Sequence, residues 1–264
     1  MSDEAAAESH RASTRREFAH QAAEFERPGS LFRDAGILDW IEQHVPARAG
    51  ERVLDVAGGT GALGRRLALA GELAVVADLT PEMLAEGRRA AERDGQRNVV
   101  FVEADAMRLP FADEQFDLVV TRFALHHVLD PAAALAEMAR VCRPGGRVAV
   151  IDLVRESGAA GAHHDELERL RDPSHRSAFE EPELLAISRA AGVRADLLGV
   201  REAQMPAEAW LARAHTGEEA RARILAALRG ELEGGEATGL RPLLDAGGQL
   251  HIAHRWLIVG GERS

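Results

Sequence analysis

The residues with the clearest chemical meaning lie in a glycine-rich turn that follows a short apolar segment. Segment and turn together read Val53-Leu54-Asp55-Val56-Ala57-Gly58-Gly59-Thr60-Gly61-Ala62-Leu63-Gly64. Glycine has no Cβ, so the backbone can turn tightly and approach a ligand closely. A helix that starts after such a turn presents unpaired backbone N–H groups to that ligand. The pattern therefore predicts a small-molecule site at this turn.

Two classes of ligand compete for the turn. Gly59 to Gly64 match G-x-G-x-x-G, the pattern of dinucleotide-binding turns, and Asp78 stands further on where it can bind a ribose. Asp55, inside the segment before the turn, would repel a pyrophosphate. S-adenosyl-L-methionine carries an ammonium and a sulfonium and no phosphate, so the same carboxylate attracts it. Asp55 therefore favours S-adenosylmethionine; an acid that only caps its own turn is the alternative.

Two further acids follow the next two predicted strands. Asp78 comes directly after Leu73–Ala77, where a carboxylate can accept both ribose hydroxyls. Asp105 comes soon after Val99–Glu103, where it can accept from the amino group of adenine. A single acid after a strand is ordinary loop charge, but three at successive strand ends favour one adenosyl site.

The elements that must position these residues alternate between short β-rich segments and helical segments. Strands are predicted at Arg52–Val56, Leu73–Ala77, Val99–Glu103, Phe116–Thr121 and Arg147–Leu153. Alternation with helices predicts an α/β fold with an open parallel sheet, whose ligands bind beyond the carboxyl ends of the strands. Asp196–Val200 and His251–Val259 are predicted as a sixth and a last strand, and Pro206–Gly248 as a mostly helical cap.

Residues 50–154 resemble the class I S-adenosylmethionine-dependent methyltransferases, most closely the ubiquinone/menaquinone-biosynthesis C-methyltransferase group and its small-molecule relatives. The matching motifs are the turn quoted above, with Ala57 where most of the superfamily has glycine, Asp78, Asp105-Ala106-Met107-Arg108-Leu109-Pro110-Phe111, Phe116-Asp117-Leu118-Val119-Val120 and Arg143-Pro144-Gly145-Gly146. They cover about two-fifths of the chain and are specific for the cofactor rather than the acceptor. The resemblance implies a Rossmann-like, mostly parallel sheet of seven strands whose last strand is antiparallel.

The resemblance also implies that S-adenosyl-L-methionine is the cofactor and S-adenosyl-L-homocysteine its product. The predicted cofactor-binding residues are Asp55, Ala57, Gly58, Gly59, Gly61, Asp78, Leu79, Asp105, Ala106, Thr121 and Arg122. The predicted reaction is methyl transfer to carbon, oxygen or nitrogen of a small, partly apolar molecule. It is an in-line displacement, so positioning of the acceptor carries most of the acceleration.

Candidate residues for the acceptor side follow the fourth strand and occur near both ends of the chain. A base is needed only if the acceptor must lose a proton, and histidine suits that task because its ordinary pKa is near working pH. His126 and His127 are the predicted catalytic residues; the alternative is that His127 only orients its loop. The predicted lid and substrate residues are Phe18, Phe25, Phe123 and His254.

No metal site is predicted. The residues between the fifth and sixth strands that are able to bind metal are His163, His164, Asp165, Asp172 and His175. Their spacing matches no recognised ligand pattern, so an exposed polar helix is predicted for this segment.

The sequence departs from the quinone methyltransferases where the acceptor would lie. Those enzymes carry an arginine-asparagine pair after the fourth strand, whereas this chain has Phe123-Ala124-Leu125-His126-His127-Val128. The segment Pro206–Gly248 has no counterpart in them. The resemblance therefore supports the cofactor and does not support a quinone acceptor.

Composition argues against several other classes of protein. The 264-residue chain has 32 basic and 43 acidic side chains, a net charge of −11 and a pI near 5.5, so neither nucleic acid nor a membrane surface is an expected partner. The single cysteine, Cys142, excludes an intramolecular disulfide, and no apolar run approaches the ~20 residues that span a bilayer. We expect a cytoplasmic monomer or homodimer whose partner is a small-molecule acceptor.

The predicted organisation has six segments. They are a flexible tail at 1–16, N-terminal lid helices at 17–45, a cofactor-binding α/β core at 46–154, a variable region with a helix and the sixth strand at 155–205, a helical cap insertion at 206–249, and the last strand with the C-terminus at 250–264. Two rival functions stay open at this point. One is an NAD(P)-dependent oxidoreductase, and the other is a protein of the same fold that binds S-adenosylmethionine without methylating, as a cyclase or a regulatory subunit.

Overall fold

The fold is built on one mixed β-sheet flanked by helices. The computed structural model describes residues 3–214 and 216–264. Its strands are β1 (Arg52–Val56), β2 (Leu73–Asp78), β3 (Val99–Glu103), β4 (Phe116–Arg122), β5 (Cys142–Val154), β6 (Asp196–Pro206), β7 (Leu243–Leu244) and β8 (Leu250–Glu262). Its helices are α1 (Asp3–Phe25), α2 (Ala35–His44), α3 (Ala62–Leu67), α4 (Pro81–Arg93), α5 (Pro131–Val141), α6 (Gly158–Arg171), α7 (Glu181–Ala190), α8 (Ala207–Leu211) and α9 (Glu218–Leu232). Single 3₁₀ turns lie at Leu31–Arg33 and Leu125–His127.

The order of the strands across the sheet is β3-β2-β1-β4-β5-β8-β6. Strands β1 to β5 pair in parallel, whereas β8 runs antiparallel between β5 and β6. The predicted α/β, Rossmann-like fold is therefore confirmed, with a mostly parallel sheet and an antiparallel last strand. The two-residue strand β7 pairs with β8 and lies inside the segment predicted to be a helical cap, in which α8 and α9 are helical as predicted.

The central strands are buried on both faces, which explains their nearly continuous apolar sequences. Successive side chains of a strand point to opposite faces. Val53 and Leu118 accordingly pack on one face, in the cluster that includes α2 and α3, while Leu54 and Val119 pack on the other against α5. Asp55 interrupts this apolar pattern close to the carboxyl end of β1, although only 1% of its surface is exposed.

The N-terminal segment differs from its prediction. Residues 3–16, predicted as part of a flexible tail, are helical and continuous with the rest of α1; residues 1 and 2 lie outside the described residues. The segment lacks an apolar period because its contacts are polar. Arg15 pairs with Glu103 at 2.8 Å, and Nε2 of His10 lies 2.7 Å from the carbonyl oxygen of His127. Of the helices within the described ranges, none is long and apolar enough to cross a membrane.

The carboxyl ends of β1 to β4 meet at one edge of the sheet, which is where ligands of open α/β sheets bind. A cavity of about 180 Å³ lies at this edge. α1 covers it from the N-terminal part of the chain, while α6, α8 and β8 close it from the C-terminal part. The fold thus brings residues from both ends of the sequence to the tips of the parallel strands.

Candidate functional site

Asp55 lies at the bottom of the cavity, beneath the glycine-rich turn. Its Oδ2 accepts a hydrogen bond of 2.8 Å from the backbone N–H of Gly64. Its Oδ1 is buried, and no group in the described part of the chain donates a hydrogen bond to it. Burial raises the pKa of Asp55 to about 6, although the nearby Arg122 guanidinium and the Gly64 N–H favour the ionised form. Oδ1 is therefore free to accept a hydrogen bond, and a positively charged ligand beside it would stabilise the ionised carboxylate.

The turn above Asp55 leaves no room for larger side chains. A Cβ at Gly58 would stand 2.7 Å from the Cγ of Asp55, and one at Gly61 would stand 2.7 Å from a methyl of Val76. Gly61 also has a φ of +73°, in the left-handed region that glycine adopts most readily. Ala57 has a φ of +50° without that freedom, a strained conformation of the kind often found at ligand sites.

Asp78 lies at the end of β2 and is tied to the same turn. Its Oδ2 accepts from the N–H of Gly59 and its Oδ1 from the N–H of Thr80, each at 2.8 Å. Burial raises the pKa of this carboxyl group above its ordinary value, although these N–H groups oppose the shift. Leu79 follows it along the cavity wall. Each oxygen of an ionised carboxylate has a second lone pair, so Asp78 can still accept from a ligand.

Asp105 and Ala106 line the cavity beyond β3. Oδ1 of Asp105 accepts from the N–H of Met107 at 2.9 Å, and Oδ2 lies 3.7 Å from a guanidinium nitrogen of Arg11. The acid predicted to contact adenine therefore also faces a cation from α1. Sequence reasoning did not include Arg11, because nothing in the N-terminal pattern relates it to β3.

Thr121 and Arg122 end β4 beside Asp55. Nη2 of Arg122 donates to the backbone oxygen of Phe32 at 3.0 Å. Its Nη1 and the Oγ1 of Thr121 are buried, and neither finds a hydrogen-bond partner among residues 3–214 and 216–264. Burial lowers the pKa of Arg122 to about 10, against the opposing effect of Asp55, so the guanidinium remains charged at neutral pH. Arg122 therefore offers an unused N–H donor to the cavity, whereas Thr121 and Gly61, which were also predicted to bind the cofactor, are not among the residues that line it.

His126 is buried in the wall of the cavity, and an acidic side chain fixes the orientation of its ring. Its Nδ1 lies 2.5 Å from Oδ1 of Asp152, a carboxylate in β5 with no exposed surface. Burial alone would lower the pKa of His126, but the charge and hydrogen bond of Asp152, together with the charges of Glu168 and Asp172, raise the pKa above its ordinary value. His126 is therefore easier to protonate than a free histidine.

His127 is held by a different chain of hydrogen bonds. The Ser174 hydroxyl donates to Oδ1 of Asp172 at 2.6 Å and lies 3.0 Å from Nδ1 of His127. A hydroxyl has one proton, so Nδ1 must be the donor in the second contact, which leaves the lone pair on Nε2. Burial and the charge of His126 hold the pKa of His127 well below its ordinary value. His127 is thus a neutral imidazole with one basic nitrogen.

The residues predicted as lid and substrate contacts all line the cavity. The ring of Phe18 meets His127 edge-on with centroids 5.1 Å apart, and Phe25 stacks on Phe32 at 3.6 Å. Phe123 packs against Trp256 at 4.8 Å. His254 lies on β8 and is 7% exposed. The structure brings these residues together with the two histidines, while their roles stay predictions.

Sequence reasoning missed the residues that orient the histidines. Asp152 carried a signal, because it is an acid inside the apolar run of β5. Asp172 and Ser174 carry no such signal, because Ser174 lies 47 residues from His127 along the chain and no local pattern relates them. Their positions depend on the turn after α6, which folds back onto the 3₁₀ turn at Leu125–His127.

Comparisons with known proteins point to one family. Residues 54–150 match the family described as "Methyltransferase domain". Over 113 residues the chain is 47% identical to a demethylmenaquinone methyltransferase of Mycobacterium sp. (strain KMS), covering 43% of this chain and 46% of that protein. Over 125 residues it is 45% identical to a ubiquinone/menaquinone biosynthesis C-methyltransferase of Roseobacter denitrificans, covering 46% of this chain and 48% of that protein. The chain thus spans about half the length of these curated relatives.

The resemblance extends further in three dimensions. The crystal structure of the YcgJ protein from Bacillus subtilis matches with a TM-score of 0.79 and 27% identity, covering 86% of this chain and 98% of that one. The resemblance and the fold class derived from the sequence are therefore confirmed.

Proposed function

We propose that this chain, which contains a methyltransferase domain over residues 54–150, transfers the methyl group of S-adenosylmethionine to a small, partly apolar molecule. The observation that carries the proposal is the buried Asp55 carboxylate, which leaves Oδ1 free beneath the turn. A bound cation would satisfy this oxygen, whereas a pyrophosphate would be repelled by it. The NAD(P)-dependent alternative is disfavoured for this reason.

The residues around the turn fit the parts of such a cofactor. Asp78 would accept the ribose hydroxyls, while Leu79, Asp105 and Ala106 would contact adenine. The unused Nη1 of Arg122 is suited to the carboxylate of the methionine part. The bound cofactor supplies a methyl group on a sulfonium together with a neutral thioether leaving group. The protein in turn has to hold the acceptor in line and keep water out.

We propose His127 as the base for acceptors that must lose a proton. The Asp172–Ser174 pair fixes its tautomer so that Nε2 is available, and its low pKa keeps it neutral. His126 is raised in pKa beside Asp152, so the two neighbouring histidines have opposite charge preferences. Environments that separate the pKa values of adjacent groups are a recurrent way to assign acid and base roles.

The acceptor is proposed as a class rather than a compound. The curated relatives are named for menaquinone and ubiquinone biosynthesis, which makes a quinone-type ring the first acceptor to test. Much of the acceptor half of the cavity, formed by α1, α6, α8 and β8, lies outside the matched residues 54–150. The prediction against a quinone acceptor rests on residues 123–128, which lie inside the matched residues, and on residues 206–248, which lie outside them. The curated relatives and the sequence motifs therefore both favour S-adenosylmethionine as the cofactor, and experiment has to decide whether the acceptor is a quinone-type ring.

Two measurements test the proposal. In calorimetry, S-adenosylmethionine should bind and NADPH should not; binding of NADPH alone would refute it. Incubation with methyl-labelled cofactor and a panel that includes demethylmenaquinone should then label a product. Binding without label transfer to any phenol, quinol or amine of the panel would favour the cyclase or regulatory alternative instead. The cytoplasmic location and the monomer-or-homodimer state remain predictions. Cell fractionation tests the first, and light scattering of the purified protein tests the second.

A further inference from the structure

Three side chains able to bind metal meet beside the cavity, and two of them, Glu168 and His254, line it. His164 and Glu168 lie one helical turn apart on α6, and His254 faces them from β8. One nitrogen of each histidine and one carboxylate oxygen all lie within 4.8 Å of one another. The three residues are 1%, 1% and 7% exposed, respectively, so they are not a solvated surface cluster.

Each of the three residues carries a buried polar atom whose hydrogen bonding is unsatisfied within the described chain. These atoms are Nδ1 of His164, Oε1 of Glu168 and Nε2 of His254. The last two are 3.2 Å apart and form an ion pair only when His254 is protonated. Buried polar groups are normally hydrogen-bonded, because leaving one unpaired costs about 1–3 kcal/mol. Oε1 of Glu168 and Nε2 of His254 face each other, and one nitrogen of His164 lies within 4.8 Å of the ligand atoms of both, which indicates that a ligand belongs between the three side chains.

We propose that His164, Glu168 and His254 bind a divalent transition-metal cation of the zinc type. Two imidazole nitrogens and one carboxylate oxygen form a ligand set that zinc and its first-row neighbours accept. The 3.2 Å between Glu168 and His254 is close to the separation of two ligand atoms that are each about 2.0–2.2 Å from one tetrahedral ion. A single ion would satisfy the unpaired oxygen and nitrogen together.

The surroundings hold the carboxylate in position. The other oxygen of Glu168, Oε2, accepts from Nε of Arg171 at 2.8 Å, which fixes the carboxylate and leaves Oε1 free. Asp165 Oδ1 lies 3.7 Å from His164 Nδ1 and adds negative charge beside that histidine. Outer partners of this kind orient ligands in many metal sites. Arg171 opposes a cation, and its pairing with Glu168 offsets its charge, while Asp165 is paired with Arg155 at 3.2 Å.

The position of the cluster suggests what the ion does. Glu168 and His254 line the same cavity as His127, and Trp210 lies beside them. Three protein ligands leave at least one coordination position for a small molecule. We infer that this position binds an oxygen of the acceptor and orients it. That role rests on the proposed methyl transfer, whereas binding of the ion does not.

Binding of zinc to the metal-stripped full chain tests the site. By competition with a chromophoric chelator, the wild type should bind one zinc ion per chain. Glu168→Gln, His164→Gln and His254→Gln should each weaken binding at least about tenfold, which is the lower end of the loss seen when even an outer partner of a metal ligand is removed. His163→Gln is the matched control, since the side chain of this neighbour contacts the backbone oxygen of Ala237 instead. It should bind zinc as the wild type does.

Two readouts keep the outcome clear. Cobalt added to the stripped protein should give a visible absorption band that the Glu168→Gln variant lacks, and thermal unfolding of each variant checks the fold. Equal zinc affinity in the wild type and in two folded ligand variants would overturn the site, as would equal loss in His163→Gln. Calorimetry of S-adenosylmethionine on the stripped protein is independent of the ion. It shows whether the cofactor assignment, rather than the metal site, has failed.

Discussion

We predict that S-adenosylmethionine binds more weakly as the pH falls from 7 to 5, because Asp55 takes up a proton in that range. Burial raises the pKa of Asp55 to about 6 in the free protein, with Arg122 and Asp78 as the charged groups that face it. A cationic ligand favours the ionised carboxylate, so binding lowers this pKa and releases a proton. Affinity therefore rises as the pH rises through 6 and falls as the pH falls through it.

The size of the effect follows from the same value. With a pKa of about 6, Asp55 is about nine-tenths ionised at pH 7 and about one-tenth ionised at pH 5. If only the ionised form binds, Kd increases about tenfold between these two pH values, or about 1.4 kcal/mol. The cofactor itself hardly changes its charge between pH 5 and 7, because α-carboxyl groups have a pKa of about 3.5 and α-amino groups a pKa of about 8.

Calorimetry at pH 5, 6 and 7 measures the change, and repeating it at pH 6 in two buffers of different ionisation enthalpy detects the released proton. Asp55→Asn is the matched control, since the amide oxygen can keep the bond to the Gly64 N–H while removing the titration. It should bind weakly with little pH dependence. A wild-type Kd that stays constant across the range, or a variant with the wild-type slope, would refute the reasoning.

Three further predictions concern the turn and the histidine. Asp78→Ala should weaken cofactor binding by about 1–3 kcal/mol in calorimetry, because buried ribose hydroxyls lose their acceptor; unchanged affinity would remove Asp78 from the site. Ser174→Ala should slow labelled-methyl transfer at unchanged cofactor affinity, because the tautomer of His127 is no longer fixed; an unchanged rate would leave the serine a structural role only. Gly61→Ala should lower the free energy of unfolding by about 1–3 kcal/mol more than Gly50→Ala in urea titrations. Both glycines have positive φ, but only the first would bring a Cβ within 2.7 Å of a β2 side chain, so equal losses would contradict the steric argument.

The cofactor half of the site is predictable from the sequence because its signals are local. The strand, the turn and Asp55 lie within a dozen residues, and β1 then pairs in parallel with β2 and β4. Asp78 and Asp105 come to the same edge because parallel strands point the same way. Asp55, Asp78 and Asp105 all line the cavity as a result of this strand arrangement.

The acceptor half is not predictable in the same way, because its contacts join distant segments. His126 meets Asp152 and His127 meets Ser174 only after β5 and α6 have packed. The helix formed by residues 3–16 has no apolar stripe, and its contacts to β3 and to the His127 carbonyl become visible only in the fold.

The metal candidate illustrates the same limit. His164 and Glu168 show helical spacing in the sequence, yet the third member, His254, is supplied by the last strand. Local spacing alone therefore gave no reason to predict a ligand set.

Crystallography of the protein with S-adenosylhomocysteine tests the central claim most directly. The account predicts density for the adenosyl group across the tips of β1, β2 and β3, with the ribose at Asp78 and the adenine near Asp105. It also predicts that the amino end lies toward Asp55 and that the sulfur faces the side of the cavity that holds His127. Density for a dinucleotide with its pyrophosphate on the glycine turn, or strand tips that stay filled by side chains of α1 at saturating ligand, would contradict it.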